Sequence, residues 1–181
     1  PIEHLTTLRS TPNMSTWRPA NLVETAVAWK EALSRTNGPT SIILSRQNLD
    51  SFVVKELDQL KMGGYFVSKK NDATVNLIAT GSEVGLALEA EKLLTTDGIN
   101  CNVVSVPCLE TLLSNKNRYN EIFSSKTTNI VIECGHPNSW YKHTQNVIGI
   151  DCFGESGKGK DLMDHFGFTP EKITNKIKQM I

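Results

Sequence analysis

Short apolar, β-favouring runs alternate along this chain with stretches of helical periodicity, and that alternation constrains the fold more than any other feature. Val75-Asn76-Leu77-Ile78-Ala79 reads as a strand. A run to about Thr95 follows, with Val84, Ala87, Leu88 and Leu94 near one helical face, and Asp97-Gly98 ends it. Further strands are predicted at 101–106, stopped by Pro107, at 129–133 and at 146–151. Two amphipathic helices follow at 159–166 and 170–180, the second with Thr169 as cap and Pro170 in its first turn. Strands separated by helices cannot be joined by tight hairpins; their crossovers set them parallel, with helices on both faces. The expected fold class is therefore α/β: a mostly parallel, doubly wound sheet in a complete C-terminal domain.

A shorter, incomplete α/β passage precedes it. Residues 11–19 are turn-rich, with an extended piece at 14–17. Asn21 and Glu24 have capping-box spacing, and Leu22, Ala26, Trp29 and Leu33 make one apolar stripe until Asn37-Gly38-Pro39 stops the helix. Thr40-Ser41-Ile42-Ile43-Leu44-Ser45 then reads as a buried parallel strand that ends at Arg46-Gln47-Asn48. Helix, turn and strand are half of a βαβ unit. The stripe has few partners to bury against, so residues 1–49 are expected to be poorly stable alone. Residues 50–72 read as a linker, broken by Gly63-Gly64, with a small strand at Tyr65–Ser68. The organisation is thus 1–49, an incomplete tail of one domain; 50–72, linker; 73–181, a complete domain.

Lysine plus arginine number 19 and aspartate plus glutamate 19, and no basic run stands out, so charge points to neither nucleic acid nor an anionic membrane as partner. No apolar stretch approaches the roughly 20 residues that span a bilayer. The chain opens Pro1-Ile2-Glu3-His4 without a methionine or a signal-peptide pattern, which reads as a boundary inside a longer sequence. Cys101, Cys108, Cys134 and Cys152 form no CxxC pair and are expected to be reduced, mostly buried thiols in a cytoplasmic protein.

Arg46 is the leading candidate for chemistry. It stands at the carboxyl end of an apolar strand, where open α/β sheets bind ligands, and its planar fork matches a phosphate. A surface or salt-bridge arginine is the ordinary alternative. Thr80-Gly81-Ser82-Glu83 joins a strand to a helix and could present backbone N–H groups to an anion, but a single glycine, an acidic first turn and the capping-box spacing of Thr80 and Glu83 favour an ordinary capped turn. In Cys134-Gly135-His136-Pro137 the thiol and imidazole alternate and do not face each other as a catalytic pair must. Phe153-Gly154-Glu155-Ser156-Gly157 lacks GxSxG spacing and reads as a turn. His143 and His165 read as isolated histidines.

Several phrases, taken in order, resemble the transketolase family: Thr11-Pro12-Asn13-Met14-Ser15-Thr16-Trp17-Arg18-Pro19-Ala20, Gly38-Pro39-Thr40, Leu44-Ser45-Arg46-Gln47-Asn48-Leu49, Gly63-Gly64-Tyr65, Ala79-Thr80-Gly81-Ser82-Glu83-Val84, Trp140-Tyr141-Lys142 and Phe153-Gly154-Glu155-Ser156. The resemblance implies that 1–49 is the tail of a thiamine-diphosphate pyrimidine-binding domain and 73–181 a transketolase C-terminal domain. It further implies a homodimeric parent enzyme of the pentose phosphate pathway. That enzyme moves a two-carbon ketol unit from a ketose phosphate to an aldose phosphate, using thiamine diphosphate and a divalent metal (Mg or Ca). Arg46 matches the family's arginine for the substrate phosphate. The family's glutamate at the aminopyrimidine, its diphosphate and metal ligands and its substrate histidines fall outside this chain, so it is expected to be inactive alone. The alternatives are a non-catalytic docking subunit of a split thiamine-diphosphate enzyme, a free-standing phosphate- or nucleotide-binding module, or the tail of a deoxyxylulose-phosphate or dihydroxyacetone synthase.

Overall fold

The computed structural model describes residues 2–181. Its elements run α1 (His4–Ser10), β1 (Ser15–Trp17), α2 (Leu22–Ser34), β2 (Thr40–Ile42), α3 (Leu57–Lys61), β3 (Tyr65–Ser68), β4 (Val75–Ala79), α4 (Glu83–Thr96), β5 (Cys101–Ser105), α5 (Leu109–Ser114), α6 (Lys116–Ile122), β6 (Thr128–Ile132), β7 (Asn146–Ile148), α7 (Gly159–His165) and α8 (Pro170–Lys178), with a 3-10 turn at Pro137–Ser139.

The strands form two sheets. β4, β5, β6 and β7 are parallel neighbours in the order β5-β4-β6-β7, and β3 adds to β5 as an antiparallel edge. Every residue of β4 and β5 is buried, as near-continuous apolar runs require when helices cover both faces. Leu77, Val103 and Ile130 face α4 and α8, where Ala87, Leu94, Ile173 and Ile177 complete one core layer. Ile78, Val104 and Val131 pack on the opposite side with Leu112, Ile122 and Trp140. Asn76 breaks the apolar run, and its amide is bonded to the Ile122 carbonyl, Thr127 and Asn129.

β1 and β2 form a separate parallel pair, Ser15 opposite Thr40 and Trp17 opposite Ile42. The strand expected over 40–45 is shorter, and its three residues are half-buried rather than buried. α2 starts as its spacing predicts, with Asn21 Oδ1 accepting from the Glu24 N–H at 2.9 Å. Its buried face, however, is Glu24, Val27 and Ala28, while Leu22, Trp29 and Leu33 are 81%, 52% and 79% exposed. The stretch read as a linker carries α3, which lacks a strong periodic signal, and β3, which belongs to the larger sheet. Gly63 there has φ +91°, and a Cβ would lie 2.3 Å from the Leu112 nitrogen, so only glycine fits. Cys101 and Cys108 are buried as expected, but Cys134 is only partly so and Cys152 is exposed, because the strand of 146–151 stops at Ile148 and leaves Cys152 on an open loop.

Glu24 joins the two parts of the chain. Its carboxylate accepts from the Ala20 N–H at 2.7 Å, the Ser105 hydroxyl at 2.7 Å and the Tyr65 hydroxyl at 2.8 Å, with no cation beside it. Burial raises its pKa above the ordinary 4.5, and the three hydrogen bonds only partly oppose this. The folded state therefore holds this proton more tightly than the unfolded chain. That contribution is full below 4.5 and is lost as pH rises through the raised value. In Glu24→Gln the amide can donate to Tyr65 and Ser105 while its carbonyl still accepts from Ala20. Urea unfolding midpoints across pH should lose this alkaline decline; an unchanged slope would contradict the assignment.

Candidate functional site

Strand order reverses between β4 and β6: the chain leaves β4 for β5 on one side and then crosses to β6 on the other. In open α/β sheets the crevice at the carboxyl ends of two such strands is the usual ligand site. Here the chain fills it with two of its own guanidinium groups. Arg9, from α1, donates through Nη1 and Nη2 to Oε1 and Oε2 of Glu133 at 2.7 and 2.8 Å. Glu133 follows β6 and also accepts from Trp140 Nε1 at 2.8 Å and Thr80 Oγ1 at 2.6 Å. Arg18, the residue after β1, donates to the carbonyl and hydroxyl of Thr80 at 2.8 Å each, to Ser82 Oγ at 3.4 Å and to Glu83 Oε1 at 3.1 Å; its Nη1 also bonds Glu83 Oε2. Glu83 in turn accepts from the Cys134 N–H at 2.9 Å.

The result is a buried, charge-balanced chain: Arg9, Glu133, Thr80, Arg18, Glu83. The side chains of Arg9 and Glu133 are 4% and 1% exposed. Burial alone would raise Glu133, but the Arg9 charge and its paired hydrogen bonds, then Arg18, hold it down at about 2. Burial alone would lower Arg18, and Glu83 overrides that, leaving the guanidinium firmly charged. The Cys134 thiol is pushed up by burial and by Glu83, so it is no thiolate nucleophile.

This arrangement corrects two readings of the Thr80-Gly81-Ser82-Glu83 turn. The spacing of Thr80 and Glu83 suggests a capping box, but Thr80 Oγ1 donates to Glu133 and Glu83 grips Arg18, and the residue capping α4, Ser82, makes no side-chain cap bond. Nor does the turn hold an anion: a cation occupies it. Gly81 has φ +53°, and a Cβ there would lie 2.9 Å from the Arg18 side chain. Sequence reasoning missed all four charged residues. Three of them, Arg18, Glu83 and Glu133, stand at or just past the carboxyl end of a strand, the same signal that singled out Arg46.

Arg46 lies four positions beyond the end of β2, exposed on the rim of a cleft of about 320 Å³. Ile43, Ser45 and Gln47 from the segment at and after the end of β2 line it together with Arg18, Ser82 and Glu83. Arg46 takes part in none of the ion pairs among the described residues. Of the histidines, His143 shares a hydrogen bond with Tyr119 at 3.0 Å, and His136 Nδ1 accepts from the Asn138 N–H.

The comparisons with known proteins agree with this architecture. The family model for the transketolase-like TK C-terminal domain matches residues 63–169, and that for the transketolase pyrimidine-binding domain matches residues 1–51. Transketolase 2 of Aliivibrio fischeri is 42% identical over 100% of this chain and 28% of its own length. Transketolase of Buchnera aphidicola is 40% identical over 97% of this chain and 28% of its own. The chain thus spans under a third of these relatives. Among solved structures, Pichia stipitis transketolase in complex with sedoheptulose-7-phosphate superposes with TM-score 0.95 at 34% identity, over 99% of this chain and 27% of that one. Campylobacter jejuni transketolase does so with TM-score 0.92 at 40% identity, over 99% and 28%. A split-gene transketolase solved as an inactive β4 tetramer matches at TM-score 0.80 but 21% identity, which bears on the fold alone. With both family models and the topology in agreement, the chain belongs to the transketolase family.

Proposed function

We propose that this chain is the C-terminal part of a homodimeric transketolase, which transfers a two-carbon ketol unit from a ketose phosphate to an aldose phosphate with thiamine diphosphate. Residues 1–49 are read as the tail of the pyrimidine-binding domain, 50–72 as the linker and 73–181 as the C-terminal domain. The observation that carries the reading is Arg46: an exposed guanidinium with no acidic partner among the described residues, on the rim of a cleft at the carboxyl end of a parallel strand. Its planar fork can give two parallel N–H···O bonds to a sugar phosphate, which orients the sugar as well as binding it. That a relative was solved with sedoheptulose-7-phosphate supports a sugar phosphate as the ligand.

When bound, thiamine diphosphate supplies the electron sink for breaking and re-forming a carbon–carbon bond. The residues present do not fit a metal–diphosphate site. Among the described residues no group of three or more His, Cys, Asp or Glu side chains could hold a metal. The buried Glu83 and Glu133 are committed to arginines, and Glu24 to Ala20, Tyr65 and Ser105. Those ligands are assigned to other polypeptide of the parent enzyme. The exposed Leu22, Trp29 and Leu33, and a two-stranded parallel sheet that is not independently stable, also support a place within a larger assembly.

The purified 181-residue polypeptide, given thiamine diphosphate, magnesium and a ketose–aldose phosphate pair, is expected to form no transfer product and to bind the cofactor only weakly. Calorimetry and a coupled assay read both. Turnover would overturn the assignment of the catalytic groups to other polypeptide.

A further inference from the structure

The plugged crevice gives the C-terminal domain a task in substrate selection, an inference that rests on the proposed role of Arg46. Arg46 has little to hold it in place locally. The segment after β2 makes a single short-range side-chain bond, Ser45 Oγ to the Gln47 carbonyl at 3.2 Å. Its course is set by β2, whose only strand partner among the described residues is β1, and by Ile43, whose N–H donates to the Trp17 carbonyl at 2.8 Å.

β1 in turn is fixed by its buried Trp17, packed with Val27, Leu60 and Tyr65, and from its end. Arg18 is the next residue, and its backbone N–H donates to the Pro107 carbonyl at 2.7 Å while its carbonyl accepts from Gly81 at 3.0 Å. Its side chain is bonded to Thr80, Ser82 and Glu83. The same Arg18, Ser82 and Glu83 line the cleft with Arg46. A continuous series of contacts therefore runs from the β4–α4 turn through Arg18, β1 and β2 to Arg46. Arg18 and Arg46 thus share one cleft and are joined through β1 and β2.

We propose that Arg18, held by Glu83, is a positioning residue for Arg46: it sets where the substrate-phosphate arginine sits in the cleft that it shares with Ser82 and Glu83, so that the C-terminal domain governs the preference for phosphorylated substrates without touching the reacting atoms. Lysine at position 18 keeps the charge that neutralises Glu83 but loses the planar fork that fixes the strand end, so the change isolates position from charge.

In the full-length enzyme, Arg18→Lys is expected to raise KM for a ketose phosphate donor about tenfold, short of the roughly hundredfold that a 1 Å misplacement can cost, with kcat and the KM of an unphosphorylated ketol donor within about twofold. In an Arg46→Ala background the same change should add nothing to the ratio of the two KM values. Equal effects on both donors, or additive effects with Arg46→Ala, would overturn the inference. If Arg18→Lys does not fold, Glu83→Asp, which keeps the counter-charge but shortens its reach to Arg18, takes its place in both measurements, and the same results support or overturn the inference. If Arg46→Ala alone fails to separate the donors, the proposed function itself falls. If it separates them and Arg18→Lys does not, only the positioning role falls.

Discussion

Replacing Arg46 with alanine in the full-length enzyme should raise KM for phosphorylated donors about ten- to hundredfold, the value of one charge-assisted, two-pronged contact at roughly 1.5–3 kcal/mol. An unphosphorylated donor makes no such contact, and its KM and kcat should stay within about twofold. Arg46→Lys keeps a cation but not the fork, and should fall between the two because an ammonium meets a phosphate as a point charge. Arg46 is exposed and in no ion pair among the described residues, so the loss should not be confounded by unfolding. Steady-state kinetics with matched phosphorylated and unphosphorylated donors decides the matter. A parallel loss on both donors would remove Arg46 from phosphate recognition.

Glu133→Gln should destabilise the fold by about 3–5 kcal/mol, the usual cost of removing one partner of a buried ion pair. The change is nearly isosteric, so it leaves little cavity. Its cost arises because every group facing the carboxylate is a donor: both Arg9 nitrogens, Trp140 Nε1 and Thr80 Oγ1. The amide NH2 of glutamine would confront one of them, and the Arg9 charge would stay buried without its counter-charge. The depressed pKa of Glu133 fixes the sign of the pH effect. Its contribution is full above the ordinary value of 4.5 and is lost as pH falls towards about 2. Urea unfolding at neutral pH should show the large loss, and the variant should lack that part of the wild-type acid decline. A variant within about 1 kcal/mol of wild type would show that Arg9 and Arg18 are solvated by other means.

The larger sheet is legible in the sequence because its strands are short, mostly apolar runs, broken only by single asparagines, with Gly, Pro or Asp nearby, so local composition and tertiary burial largely agree. The short elements are not. α1 contains Thr6 and Thr7, poor helix formers, and is held by the burial of Leu5 and the reach of Arg9 to Glu133. α5 and α6 are separated only at Asn115, and neither is long enough to show a clear period. The face that α2 buries was misleading for a physical reason: Leu22, Trp29 and Leu33 are more apolar than Glu24, yet the carboxylate is the residue that Tyr65 and Ser105 await across the join. Of the site, Arg46 is visible from position and chemistry alone. The buried charges are not, because Arg9 and Glu133 lie 124 positions apart and no local pattern announces such a pair.

Two guanidinium groups seated between β4 and β6 make the tail and the sheet key and lock within a single polypeptide. Any visiting nucleotide or metabolite could enter that notch only by evicting a plug the protein carries on its own chain. A descendant that turned the notch into an effector pocket would first have to surrender the join. The familiar receptor edge of this sheet has thus been converted from a place of exchange into a keystone.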